Sequence, residues 1–183
     1  PGKDPLHDQG YYYCLDYASV MMCLPLLQLN PNPEVVFDIC AAPGGKSALA
    51  YAMLKPKNMI ANEVIGNRCG ALISNLKRCE IPATLMSRDT EVLKDNFSET
   101  ADIVIVDAPC SGQSLLVKKE AAPGCFHPTN VNKCMNRQRR IIANASGIVR
   151  PQGHLLYSTC TYSPEENEEL CEWFISKFPE FKG

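Results

Sequence analysis

The run Asp102-Ile103-Val104-Ile105-Val106 constrains this chain more than any other segment. From Ile103 on it is β-branched and unbroken by polar residues, the pattern of a strand covered on both faces. Such a strand belongs in a sheet with helices above and below it. The rest of the chain supplies the pieces. Val35 to Ile39, Asn58 to Val64, Ala83 to Ser87 and His154 to Thr161 read as further strands. Between them lie helical patterns over Ser47 to Leu54, Asn67 to Cys79 and about residues 132–149, and a last helix runs from Ser163-Pro164 to Phe178. Asp16 to Leu27 forms an earlier helix with Asp16 as its cap, and Pro151-Gln152-Gly153 makes a turn. Residues 108–131, rich in Pro, Gly and Lys, form a long connection. Alternating strands and helices imply an α/β fold: a doubly wound, mostly parallel sheet with helices on both faces. Asn30-Pro31-Asn32-Pro33 is a clear break, so residues 1–33 are taken as an N-terminal extension with a helix and 34–183 as one catalytic domain.

With 183 residues the chain can bury a full core. Its longest apolar stretch, Ala18 to Leu27, falls short of the roughly 20 residues a membrane span needs. The net charge of −2 argues against a dedicated nucleic-acid-binding module. The distribution is uneven, however. Residues 111–162 carry seven basic side chains and one acidic, between flanks in which acids exceed bases. That basic middle is either a solvated helix face or a surface for a polyanion. Ten cysteines would permit a disulfide framework. Without a secretory leader or a C-x-x-C pair, reduced thiols, a cytoplasmic location and no metal are expected. The start at Pro1 suggests an excised piece of a longer protein, and the chain is expected to be a monomer.

Ligands of such sheets bind beyond the carboxyl ends of the strands, and the distinctive residues cluster there. The first strand opens onto Asp38-Ile39-Cys40-Ala41-Ala42-Pro43-Gly44-Gly45-Lys46-Ser47. Small residues let the backbone approach a ligand, and the helix that follows presents free amides. Two chemistries compete. Gly45-Lys46-Ser47 fits the end of a phosphate-binding P-loop, but Cys40 stands where the first glycine belongs and Pro43 lacks an amide donor. An adenosyl-cofactor loop is the alternative. It calls for an acid about 20 positions on, and Glu63 meets that spacing. Asp89, after the third strand, is either a turn residue or another cofactor contact. Asp107-Ala108-Pro109-Cys110-Ser111-Gly112 follows the fourth strand, and Ser158-Thr159-Cys160-Thr161-Tyr162-Ser163-Pro164-Glu165-Glu166-Asn167 follows the fifth. Two thiols and a carboxylate would therefore meet above the cofactor loop. Cys125 and His127 read as structural.

On these motifs the chain resembles the RNA cytosine-5 methyltransferases of the Fmu/Sun type, with their nucleolar members, from about Gly10 to Phe178. Leu15-Asp16-Tyr17-Ala18-Ser19 is similar to a helix start that precedes the family's cofactor loop. The resemblance implies a Rossmann-like methyltransferase fold and S-adenosyl-L-methionine as cofactor. It also implies a ribosomal or transfer RNA substrate, methylated at carbon 5 of cytosine. Cys160 would be the nucleophile, Cys110 would assist product release, Asp107 would hold the base, and Lys46 would lie near the reacting groups. Cys40, Ala41, Ala42, Pro43, Gly44, Gly45, Lys46, Glu63, Asp89 and Asp107 would line the cofactor site. The basic middle, Lys118, Lys119, Lys133, Arg137, Arg139, Arg140 and Arg150, could then contact RNA phosphates, with Lys118, Lys119, Arg137 and Arg140 the foremost candidates; helical spacing sends Arg137 and Arg140 to one side and Arg139 to another, so not all can face one strand. The family's sheet closes with two further strands, so this sheet is expected to lack its last strands. A nucleotide hydrolase and a catalytically silent RNA-binding remnant are the competing functions.

Overall fold

The computed structural model describes residues 4–29, 32–117 and 122–183. A short helix, α1 (Pro5–Asp8), and a second, α2 (Tyr17–Cys23), precede the first strand, β1 (Val35–Asp38). The rest alternates: α3 (Gly45–Leu54), β2 (Asn58–Asn62), α4 (Gly66–Arg78), β3 (Ala83–Met86), α5 (Thr90–Asn96), β4 (Ala101–Asp107), α6 (Pro128–Ser146), β5 (Val149–Ser158) and α7 (Glu168–Lys177). The five strands are parallel and lie in the order β3-β2-β1-β4-β5. The order reverses between β1 and β4, which opens a crevice over their carboxyl ends.

The strand period of two divides the core. Val36, Met59, Ile103 and Ile105 face one side and pack against Cys23, Leu26, Ala50 and Leu54. Phe37, Ile60, Val104 and Val106 face the other, against Leu93, Ile141 and Ala145. Each face therefore has its own helices, as the unbroken apolar strand β4 requires. Leu72 and Leu76 of α4 pack on Ala41, Ala48 and Ala61, and Leu170 and Phe174 of α7 pack on Ile142.

Several elements differ from the sequence pattern. Asp16 does cap α2, its carboxylate accepting from Ser19 N at 2.8 Å. The α-helix stops at Cys23, and Leu24–Gln28 continues as a 3-10 turn. Pro25 explains the change, because it has no N–H to donate to the preceding turn. Helix α5 is too short to show a period, but Asp89 caps it. Helix α6 starts at Pro128 with His127 as its cap, four residues earlier than expected, and proline suits that first position. Pro151-Gln152-Gly153 lies inside β5 as a bulge: the register passes from Ala101↔Val149 to Ile103↔His154, and Gln152 has φ 66°. The expected last helix is broken at Asn167, leaving a 3-10 turn over Pro164–Glu166 before α7.

Candidate active site

The turn after β1 is shaped by close packing. Gly44 has φ 106°, and a Cβ there would stand 3.2 Å from Leu72. At Gly45 a Cβ would come within 2.7 Å of Leu15, so the segment before α2 presses directly on the turn. Asp38 ends β1 fully buried. Its Oδ2 accepts from Ser47 Oγ at 2.6 Å, while its Oδ1 has no hydrogen-bond partner. Burial, only partly offset by the Ser47 hydrogen bond, pushes the carboxyl up to about 7. Ser47 is committed to Asp38 and is not presented to solvent. The P-loop reading, which needs that hydroxyl on magnesium, loses its support.

A cavity of about 320 Å³ lies over this turn. Cys40, Ala41, Ala42, Pro43, Gly45, Lys46, Asp107 and Cys160 line it, together with Asp38 and Ser114. The opposite wall comes from Tyr13 to Asp16 and Ser19. The sequence motifs thus converge on one cavity. Four of the expected residues stand outside its lining. Gly44 shapes the turn from behind. Glu63 is buried at the end of β2, accepts from Ile65 N at 2.9 Å, and has the Arg68 guanidinium 3.2 Å away. Arg68 in turn donates to Ala42 O at 2.6 Å, so Glu63 braces the cofactor turn through it. Asp89 caps α5 and holds Arg140 at 3.1 Å. Cys110 stands behind Cys160.

Lys46 and Asp107 form the polar floor of the cavity. Lys46 Nζ lies 2.7 Å from Asp107 Oδ2, and Ser158 Oγ donates to Asp107 Oδ1 at 2.8 Å. Burial pulls the Lys46 pKa down, but the Asp107 carboxylate outweighs it and the net shift is upward. The ammonium is therefore held charged.

The two cysteines meet although each closes a different strand. Their sulfurs are 3.2 Å apart, and Cys160 N donates to Cys110 Sγ at 3.3 Å. The thiol contact lowers the Cys160 pKa against the effect of burial, with Ser114 assisting; the Asp107 carboxylate opposes the shift more than the Lys46 ammonium helps it. The same contact raises Cys110. One thiol thus stays protonated while the other is poised as thiolate.

Side chains outside the expected set hold this pair. Glu166, fully buried, accepts from Ser111 N at 2.9 Å and from Gln138 Nε2 at 2.7 Å. Gln138 also donates to Pro109 O at 3.1 Å. Ser111 and Thr161 hydroxyls are 2.8 Å apart. Asn167 gathers the Cys160 loop by accepting from Thr159 Oγ1 and donating to the Thr161 and Ser163 carbonyls. That work explains why the chain leaves the helix at Asn167. The only sequence signal for these residues was the acidic pair Glu165-Glu166, which reads equally well as helix-start chemistry.

The basic candidates separate. Arg137 and Lys133 are exposed on α6. Arg140 is paired with Asp89, and Arg139 lies over the Trp173 ring at 5.1 Å. Arg150 pairs with Asp102, at the amino end of β4 and away from the cavity. Arg150 therefore stands apart from the other basic candidates. Lys118 and Lys119 lie outside the described residues.

Residues 26–182 match the model of the 16S rRNA methyltransferase RsmB/F family. The chain belongs to that family. It is 33% identical over 176 residues to the ribosomal RNA small subunit methyltransferase F of Pectobacterium carotovorum, covering 95% of this chain and 36% of the relative. The Klebsiella pneumoniae protein of the same name is 33% identical over 181 residues, covering 98% of this chain and 38% of the relative. The chain thus spans just over a third of the curated relatives it matches. Among solved structures, NSun6 from Pyrococcus horikoshii with SFG is similar at TM-score 0.79 and 28% identity, over 97% of this chain and 45% of that one. A methyltransferase homolog protein from the same organism gives TM-score 0.74 and 29% identity, over 95% and 54%. The likeness to Fmu/Sun-type methyltransferases and the Rossmann-like fold are both borne out.

Proposed function

We propose that this chain carries the catalytic centre of an S-adenosylmethionine-dependent enzyme that methylates carbon 5 of a cytosine in small-subunit ribosomal RNA. The observation that carries this reading is the pair of sulfurs 3.2 Å apart, with Cys160 lining the cavity over the glycine turn and Cys110 behind it. The cavity suits the cofactor. Small residues of the glycine turn line one side of it, and Asp38 offers a buried oxygen that lacks a partner. Its acids match a cationic ligand, and its volume is of the size small-molecule sites require. Cys40 to Pro43, Gly45 and Lys46 would hold the cofactor, with Glu63 acting through Arg68. Bound there, the sulfonium supplies an electrophilic methyl group.

The protein's own part is covalent catalysis. Carbon 5 of cytosine is a poor nucleophile until a group adds at carbon 6. The Cys160 thiolate makes that bond, and the displaced electron pair makes carbon 5 nucleophilic. Asp107, fixed by Lys46 and Ser158, holds the base at ring nitrogen 3 and relays a proton there from the Lys46 ammonium, which balances the added charge. Cys110, having given its own proton to solvent, takes the carbon-5 proton after methylation. The electrons left behind break the Cys160–carbon 6 bond, and ring nitrogen 3 returns its proton through Asp107, which frees neutral product and thiolate. The target base has to leave its stack to reach the sulfurs. No helix among the described residues is long and apolar enough to cross a membrane, and the site of action is taken to be the cytoplasm.

Two measurements test this reading. Calorimetry with S-adenosylhomocysteine, and separately with a nucleoside triphosphate and magnesium, is expected to show binding of the first only. Cys160→Ala is expected to abolish methyl transfer to ribosomal RNA while leaving S-adenosylhomocysteine affinity intact. Unchanged turnover in that variant refutes the nucleophile assignment.

A further inference from the structure

Beside the cavity lies a second groove, of about 370 Å³, that the catalytic scheme does not use. Two aromatic side chains line it, Phe126 and Tyr162, and they are 62% and 63% exposed. Large exposed rings that share one groove mark an interaction site rather than core. Their frame, by contrast, is buried. Gln113 is only 4% exposed and fastens both loops: its Oε1 accepts from Tyr162 N at 3.1 Å and its Nε2 donates to Cys125 O at 3.3 Å. The backbone under each ring is therefore fixed, while the rings face solvent.

The groove adjoins the reacting centre. Tyr162 is two residues from Cys160 on the same loop. Ser114, which follows Gln113, lines the catalytic cavity and donates through its N–H to Cys160 O at 3.2 Å. The far side of the groove is the first turn of α6, through Pro128, Val131 and Asn132. That helix contains no acidic residue and leaves Lys133 and Arg137 exposed four positions apart, on one side of the helix. Glu165 is the one acid among the groove's lining residues, and it accepts a hydrogen bond from Ser163 Oγ. Rings beside a nucleophile, continued by a basic helical face, match an unpaired nucleotide: bases stack on aromatic faces and cations meet phosphates.

We propose that Phe126 and Tyr162 form a stacking site for the base of a single-stranded nucleotide that neighbours the target cytosine, with Lys133 and Arg137 holding the adjoining phosphates. This rests on the RNA-methylation reading and adds to it the form of the substrate: unpaired on at least one side of the target.

The test uses the chain and a short fluorescein-labelled single-stranded RNA containing one cytidine, with the matching duplex as comparison. Tyr162→Ala and Phe126→Ala are each expected to weaken single-strand binding about tenfold, the size of one lost base stack. Tyr162→Phe keeps a ring and is expected to bind as wild type. Lys133→Ala is expected to lower the slope of log affinity against log salt by roughly one. Affinity for S-adenosylhomocysteine is expected to be unchanged in all four variants, which also reports that they fold. Wild-type RNA affinity in both alanine variants overturns the stacking site while leaving the methylation reading intact. Equal or tighter binding of the duplex likewise overturns it. A wild-type chain that binds neither S-adenosylhomocysteine nor RNA overturns the underlying reading, and the groove's assignment with it.

Discussion

Cys110 Sγ and Cys160 Sγ stand 3.2 Å apart at the ends of adjacent parallel strands, although fifty residues separate them in the chain. The register explains the meeting. Asp107 pairs with Ser158, so each loop leaves the sheet at the same height. At this distance two thiolates would repel each other, and a single proton between the sulfurs is the stable state. Ser114 and the greater exposure of Cys160 favour the charge on that sulfur.

The first prediction follows from that sharing. Alkylation needs the thiolate, which is lost as pH falls through the pKa. Labelling of Cys160 by iodoacetamide, followed by mass spectrometry of its peptide, is expected to reach half its maximal rate at a pH well below the ordinary cysteine value, because the contact lowers it. Cys110→Ala removes the main stabilising hydrogen bond. The midpoint is then expected to rise toward about 8.5, the ordinary value for a cysteine. An unmoved midpoint would mean that Ser114, rather than Cys110, holds the charge.

The same variant tests product release. In the proposed scheme Cys110→Ala leaves the nucleophile in place and removes the base for the carbon-5 proton, so a covalent protein–RNA adduct is expected to persist under denaturing electrophoresis. Because the substitution also raises the Cys160 pKa, the adduct is expected to form faster at pH 9 than at pH 7. A variant that releases product at the wild-type rate would sink the role assigned to Cys110.

Much of this site was legible in the sequence because its chemistry lies at strand ends. An unbroken apolar run fixes a strand's end, and in a parallel sheet every such end points the same way. Cys110, Cys160, Lys46 and Asp107 could therefore be placed together. The bracing could not. Glu63 and Asp89 stand at strand ends too, but each has a nearby arginine and faces away from the cavity, a choice made by side-chain partners that sequence spacing does not encode. Gln138 sits on the buried face of α6, where a period of 3.6 calls for an apolar residue. Only the fold reveals that Glu166 waits opposite it. Arg150 joined the basic cluster by proximity in sequence, and the bulged start of β5 carries it to the other end of the sheet.

Glu166 should matter for stability as well as alignment. Its carboxylate accepts from two buried donors, Ser111 N and Gln138 Nε2. Glu166→Ala leaves both donors without it, at a cost of about 1–3 kcal/mol for an unsatisfied buried group. For a domain of this size that corresponds to a melting temperature several degrees lower. Glu166→Gln keeps one carbonyl acceptor and is expected to recover most of the loss. The alanine variant is also expected to raise the pH midpoint of Cys160 alkylation, because the Ser111 and Thr161 loops lose their shared anchor. Wild-type melting and labelling in Glu166→Ala would show that the two loops hold each other without it.

Asp38 gives the chain a pH dependence of opposite sense to that of a surface carboxylate. Its folded pKa of about 7 stands well above the ordinary value of 3.8, because burial penalises the charge more than the Ser47 hydrogen bond relieves it. The folded state therefore binds the proton more tightly than the unfolded chain does. Its contribution to stability is complete below the unfolded value, declines as pH rises between 3.8 and about 7, and is lost above that window. Asp38→Asn removes the titration and keeps an oxygen that can accept from Ser47. Thermal melts at pH 5 and pH 8 are expected to show wild type losing more stability over that interval than Asp38→Asn. Two curves that fall in parallel would mean that Asp38 is already ionised in the fold at pH 5, with an unseen cation or solvent at its unpartnered oxygen.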